Sequence, residues 1–101
     1  GPAAGGHYRL ILAAEIERAE SYAYMGSFLW QQVEKMSPKT KEVIMLAYKY
    51  DLKNKEIAAR LGMTEKTVSN HKTEARKILK TAAEKRGGRK AFYSFVLFLN
   101  L

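Results

Sequence analysis

The chain contains no cysteine, so neither a disulfide framework nor a thiolate metal site is open to it. Its two histidines, His7 and His71, lie far apart and are too few to build a zinc site alone. Proline occurs only as Pro2 and Pro38, and only Pro38 falls inside patterned sequence. A chain with so few helix breakers reads as mostly helical. The apolar run at the C-terminus is about 11 residues, well short of the ~20 that a membrane helix needs. There is no secretory signal, so a cytoplasmic protein with no membrane span is the default expectation. Gly-rich phosphate loops and Ser-His-Asp sets are likewise missing. Glu15, Glu17 and Glu20 form a small acidic run with the spacing of a solvated helix face rather than an acid–base pair. No catalytic residue, metal or cofactor is expected.

What the chain does have is positive charge in one place. Its 101 residues suffice for one modest core, and the formal charge is +8. Residues 1–36 carry three basic and four acidic side chains, whereas residues 37–86 carry thirteen basic and six acidic ones. Arg89 and Lys90 follow. So uneven a distribution points to a polyanion met by the second half, or to a lysine-rich solvated surface. Gly-Pro-Ala-Ala-Gly-Gly at positions 1–6 reads as a protease scar and linker, and with no initiator Met the expectation is a piece cut from a longer protein.

Four helical segments are expected after that linker. Residues 8–25 carry Leu10, Ala13, Ala14, Glu17 and Ala19, all strong helix formers. Gly26-Ser27 is a weak point where a break or bend is expected. Residues 27–35 continue the helix with Leu29, Val33 and Met36 on one face. Ser37-Pro38 is a helix start, serine as the N-cap and proline at the first helical position. That helix should reach about Tyr50, with Val43, Ala47 and Tyr50 on one face and Ile44 beside them. A short helix over 54–61 should end at Gly62 in the left-handed conformation. Thr64 should cap the next, from 65 to at least 82, with Val68, Ala75, Ile78, Leu79 and Ala82 on its apolar face. Gly87-Gly88 breaks the chain before an apolar tail, Ala91 to Leu101.

The stretch Glu56-Ile57-Ala58-Ala59-Arg60-Leu61-Gly62-Met63-Thr64-Glu65-Lys66-Thr67-Val68 fills the slots of a helix-turn-helix. Ala58 is the small residue where two helices approach, and Gly62 is the turn glycine four residues on. Ile57, Leu61, Met63 and Val68 are the flanking apolar positions. The second helix of such a pair is as wide as a major groove, about 10–12 Å, and its N-terminal half reaches base edges. Ser69, Asn70 and Thr73 are expected as base-contacting residues; Asn70 can pair with adenine bidentately and the Thr73 methyl can meet thymine. Lys66 and Arg76 can read guanine or sit on phosphates. Lys53, Lys55, Arg60, Lys72 and Lys77 are expected on phosphates, and Thr64 and Thr67 complete the DNA-contacting set. His71, in a slot that is often aliphatic, is expected to be structural, half-buried against the first helix of the pair or pointed to the backbone, rather than a ligand.

Three runs in order carry a resemblance to a known family. They are Met36-Ser37-Pro38-Lys39-Thr40-Lys41-Glu42-Val43-Ile44-Met45-Leu46, then Leu52-Lys53-Asn54-Lys55-Glu56-Ile57-Ala58, then Thr67-Val68-Ser69-Asn70-His71 with Ala75-Arg76-Lys77-Ile78-Leu79. Over about residues 28–82 the chain resembles region 4 of bacterial sigma factors, most of all the extracytoplasmic-function class. The resemblance implies an all-α helical bundle without strands, containing a helix-turn-helix, with an extra N-terminal helix and an apolar C-terminal helix or tail. It implies binding of double-stranded promoter DNA at the −35 element and docking on the β flap of RNA polymerase core. An anti-sigma factor is a further partner the family implies. The corresponding division is 1–6 as tag remnant, 7–35 as N-terminal helical segment, 36–86 as helix-turn-helix domain and 87–101 as tail. The tail is expected to pack on the N-terminal helices, the alternative being a docking or self-association surface. Two other functions fit parts of the pattern. A LuxR-like response-regulator domain shares Asn54-Lys55-Glu56-Ile57-Ala58 and Lys66-Thr67-Val68, and a helix-turn-helix can also serve as a protein-interaction module.

Overall fold

A computed structural model describes residues 2–101, which form five helices and, among the described residues, no strand. They are α1 (Pro2–Glu34), α2 (Pro38–Tyr50), α3 (Asn54–Leu61), α4 (Glu65–Lys85) and α5 (Arg89–Phe98). The all-α bundle with an added helix at each end is as expected. The scar and linker were set at 1–6; residue 1 lies outside the described residues, and α1 already begins at Pro2.

Each boundary follows from local chemistry. The Ser37 hydroxyl accepts from the Thr40 N–H at 3.4 Å, and Pro38 opens α2, where its missing N–H has no helical partner to lose. Gly62 ends α3 at φ 66°, and its N–H donates to the Ala58 carbonyl. A side chain there would be strained whatever the space around it. Thr64 caps α4, its hydroxyl accepting from the Thr67 N–H at 3.1 Å. At Gly88 an added Cβ would meet only the Met25 side chain, whose thioether end is free to shift.

The break expected at Gly26-Ser27 does not occur; α1 passes through it unbroken. Glycine costs a helix only about 1 kcal/mol against alanine. Met25, Leu29 and Val33 are buried on either side of it and hold the helix to the bundle. Two other expectations also fail. Tyr50, assigned to the apolar face of α2, is 63% exposed, and Ile78 of α4 lies at the edge of burial at 37%. Each sits at a helical margin where one residue of rotation separates core from solvent.

Two apolar clusters meet at α4. The larger joins Met25, Leu29 and Val33 of α1, Ile44 of α2, Leu79 and Ala83 of α4, and Phe92, Phe95 and Leu99 from the C-terminal segment. The smaller joins Val43, Ala47, Ile57, Ala58 and Val68, and holds the helix-turn-helix together. The C-terminal segment thus has a buried side against α1 and α4. Its other side is open: Tyr93, Leu97 and Phe98 are exposed. Residues Asn100 and Leu101 reach further. Asn100, at φ 60°, donates through Nδ2 to the Asp51 carboxylate at 2.9 Å, and the Arg76 guanidinium donates to the Leu101 carbonyl at 2.8 Å. At the opposite end of α4, Arg86 lies over the Phe28 ring at 3.7 Å and donates to the Tyr24 hydroxyl at 2.7 Å.

The two faces of the last segment make a clean contrast for stability. Leu99→Ala should cost about 2–5 kcal/mol in chemical denaturation, since the site is fully buried. Leu97→Ala should change stability by no more than about 0.5 kcal/mol, since that residue is 81% exposed.

Candidate nucleic-acid interface

Helix α4 has two sides with opposite chemistry. Val68, Ala75, Leu79 and Ala83 are buried along one of them. On the other, Lys66, Asn70, Thr73 and Lys77 recur at i, i+4, i+7 and i+11, a single line down the helix. Lys66, Asn70 and Lys77 are exposed, while Thr73 in the line and Ser69 beside it are half-buried. The line starts in the first turn of α4, whose N-terminus carries the Thr64 cap and the partial positive charge of its free N–H groups. This end of the helix is free because α3 packs α4 from the side, through Ile57, Ala58 and Val68.

The hydroxyls at the start of α4 are partly committed. Thr64 donates to the Thr67 Oγ1 at 3.0 Å, which leaves the Thr67 hydroxyl proton free to donate outward. Lys53 and Lys55 are exposed at the N-terminus of α3, where the Lys53 N–H is held by the Glu56 carboxylate at 3.1 Å. Arg60 is exposed at the other end of α3, on a shallow groove between α2 and α3 lined also by Pro38, Lys41, Met45 and Leu61.

Two residues of the expected DNA-contacting set, Arg76 and Lys72, behave differently from the rest. The Arg76 guanidinium is engaged inside the protein: besides the Leu101 carbonyl it donates to the Thr73 Oγ1 at 3.1 Å. It therefore braces α4 against the end of the chain and orients Thr73. Lys72 is only 9% exposed and lines a polar crevice with Asp51, Leu52, Lys53, Asn54 and Asn100. Its position explains this. Residue 72 falls four after Val68 and three before Ala75, on the buried stripe rather than the exposed line. Burial, and then repulsion from Arg76, lower the Lys72 pKa from its ordinary value. The signal was in the periodicity, which a count of positive charges overlooks. His71 is half-buried and structural, but its partner is on α2 rather than α3: Nδ1 lies 2.9 Å from the Thr40 Oγ1, which the Ser37 hydroxyl also reaches at 2.9 Å. One chain of polar contacts thus ties the cap of α2 to the middle of α4.

Met45 and Leu46 were given no site role by sequence. They lie half-buried in the α2–α3 groove, beyond the face that Val43 and Ala47 turn inward. The signal was a surplus: at about 100° per residue, five consecutive positions pass right round a helix, so Val43, Ile44, Met45, Leu46 and Ala47 cannot all face one core.

No cluster of three or more His, Cys, Asp or Glu side chains among the described residues has the arrangement of a metal site. No described helix is long and apolar enough to cross a membrane. Fold and exposed line together define a helix-turn-helix domain of the DNA-binding kind. The family model for Sigma-70, region 4 matches residues 29–79, which run from the buried half of α1 through the helix-turn-helix to Leu79. The chain belongs to that family: it is a region 4 domain of a sigma-70-like sigma factor, a DNA-binding and not an enzymatic family that acts in transcription initiation. Comparisons with curated proteins and with solved structures return no match.

Lys72 yields a test with a defined sign. Its folded-state pKa lies below its ordinary value of 10.5. Between those two values the unfolded chain binds more protons, so the Lys72 contribution to stability rises as pH climbs through that window. At neutral pH the buried ammonium is a burden. Lys72→Met should therefore melt at a higher temperature than the parent at pH 7, and the difference should shrink as pH approaches 10.5. The same variant should leave the salt dependence of DNA binding unchanged. A slope reduced by about 0.9 would make Lys72 a phosphate contact instead.

Proposed function

We propose that this chain recognises the −35 element of bacterial promoters as region 4 of a sigma factor of the extracytoplasmic-function class, and that it works in the cytoplasm on RNA polymerase core. The observation that carries the reading is the line Lys66, Asn70, Thr73 and Lys77 on the open face of α4. With α4 in the major groove, Asn70 meets a base edge as donor and acceptor together, which suits adenine. Ser69 and Thr73 contact bases on either side of it, and Thr73 is held in place by Arg76. Lys66 and Lys77 bracket the line and reach guanine or the flanking phosphates. Lys53 and Lys55 at the start of α3 meet the phosphate backbone and set the register, with Thr67 donating from the first turn of α4. The functional unit is the segment 36–86, between the N-terminal helical segment 7–35 and the C-terminal segment 87–101.

The β-flap contact is assigned to the groove between α2 and α3. Met45, Leu46 and Leu61 supply an apolar floor there, and Lys41, Glu42 and Arg60 supply its charged edges. This surface is formed by the outer sides of the two helices that hold α4, so flap and DNA can be held at once. Arg60 belongs to this contact as much as to the DNA backbone.

Two measurements test the proposal. In a promoter-fragment titration, Asn70→Ala should lose about 1–3 kcal/mol of discrimination at one base pair and leave other positions unchanged. Lys55→Ala should weaken all fragments alike and lower the log–log salt slope by about 0.9. In a pull-down with polymerase core or its isolated flap, the parent should be retained and Met45→Asp should not. Retention of neither, with DNA bound as a dimer on paired half-sites, would turn the assignment toward a LuxR-like regulator.

A further inference from the structure

Lys72 is the one charged side chain on the buried stripe of α4. About nine-tenths of it is buried, yet among the described residues it takes part in no ion pair and no side-chain hydrogen bond. An ammonium carries three donors, and burying it unpaired costs free energy. No buried side-chain nitrogen or oxygen among the described residues is sealed off without a partner. The Lys72 ammonium therefore opens onto the crevice that it lines with Asp51, Lys53, Asn54 and Asn100.

The same crevice opens at the N-terminus of α3. Lys53 occupies the N-cap position there, and an ammonium has no lone pair with which to cap a helix. The first helical bond is given by the Ile57 N–H to the Lys53 carbonyl at 3.0 Å, and no side chain caps the N–H groups before it. They leave a partial positive charge at the start of the helix. The one acidic side chain of that first turn, Glu56, is taken up by the Lys53 N–H at 3.1 Å. Two ammonium groups and a helix N-terminus thus converge on one solvent-open crevice of about 470 Å³. That combination suits an anion.

We infer that this crevice binds free inorganic phosphate. Asp51, which lines it too, decides which anion fits. One oxygen of its carboxylate accepts from Asn100 Nδ2 at 2.9 Å, and among the described residues no protein side chain donates to the other. A carboxylate repels an anion that has no proton to give it. Sulfate and the phosphodiester of a DNA backbone are such anions at neutral pH. Inorganic phosphate keeps a proton, so its P–OH donates to Asp51 while its other oxygens accept from Lys72, Lys53 and the first N–H groups of α3. Helical register also separates the site from the exposed polar line. Lys72 lies two residues beyond Asn70, about 200° round the helix. A phosphate beside Lys72 opposes the burial and the Arg76 repulsion that lower its pKa. The inference goes beyond the promoter reading and does not rest on it.

The test is thermal melting of the full 101-residue chain without DNA, in chloride buffer at neutral pH and constant ionic strength, with inorganic phosphate or sulfate added. The melting temperature should rise saturably with phosphate, and about tenfold more sulfate should be needed for the same saturable rise. Both salts also stabilise proteins in general, without saturation, because they are excluded from protein surfaces. Lys72→Met, which folds without burying a charge, should keep only that general rise. Asp51→Asn retains an oxygen for Asn100 and a residue type that tolerates the left-handed backbone. It should let sulfate bind as well as phosphate. A saturable rise that survives in Lys72→Met overturns the inference. So does sulfate binding the parent as tightly as phosphate, or an Asp51→Asn chain that still prefers phosphate. A salt slope of DNA binding that falls by about 0.9 in Lys72→Met overturns it too, for the crevice then holds a backbone phosphate. The melting results are obtained without DNA, so their failure leaves promoter and flap binding to their own measurements.

Discussion

Val68, Ala75, Leu79 and Ala83 form one buried stripe along α4, and each of the other four helices is packed against α4. Burial of that stripe settles the rotation of α4 about its own axis. Once the rotation is set, Lys66, Asn70 and Lys77 face outward, and Thr73 stands half-buried in line with them, its hydroxyl accepting from Arg76. The exposed polar line is therefore a by-product of core packing, and a change that rolls α4 by a fraction of a turn would turn it inward without altering any of its residues.

The rotation is reinforced by polar contacts at three heights. The Ser37–Thr40–His71 chain binds α4 to the start of α2. Arg76 binds its middle to the Leu101 carbonyl. Arg86 binds its end to Phe28 and Tyr24 of α1. Hydrogen bonds of this kind contribute only about 0.5–1.5 kcal/mol each. Their effect here is directional: apolar contact resists separation of the helices, whereas bonds at different heights resist twist and slide. The surface ion pairs, such as Lys39 with Glu42, are exposed and add little.

The C-terminal residues connect the two halves of the molecule. Phe92, Phe95 and Leu99 close the larger cluster, and Asn100 then reaches across to Asp51 at the corner between α2 and α3. Asp51 and Asn100 both have left-handed backbones, a conformation that costs most residues free energy and that Asn and Asp tolerate best. Their mutual hydrogen bond offsets some of that cost. Lys72 sits in the crevice beneath them. Thus the corner that leads into α3 is shaped partly by residues some fifty positions later in the chain.

The caps and turns were determined by the sequence alone. Ser37-Pro38, Gly62 and Thr64 act through hydrogen bonds and backbone angles within a few residues, so neighbouring positions suffice to define them. The helix-turn-helix core was legible for the same reason: Ile57, Ala58 and Val68 obey a short, regular spacing. A polar face of Lys66, Ser69, Asn70, Thr73, Arg76 and Lys77 followed once that spacing was known, although Arg76 proved to be turned inward. Only tertiary structure decided the rest. Whether Gly26 breaks a helix depends on what buries Met25 and Leu29. The partner of His71 is Thr40, thirty-one residues away. Lys72 was assigned by its charge to the outside, yet its helical register places it inside, and Arg76 was drawn inward by a carbonyl from the end of the chain. Charge and periodicity are properties of a segment, but burial is a property of whatever folds against it.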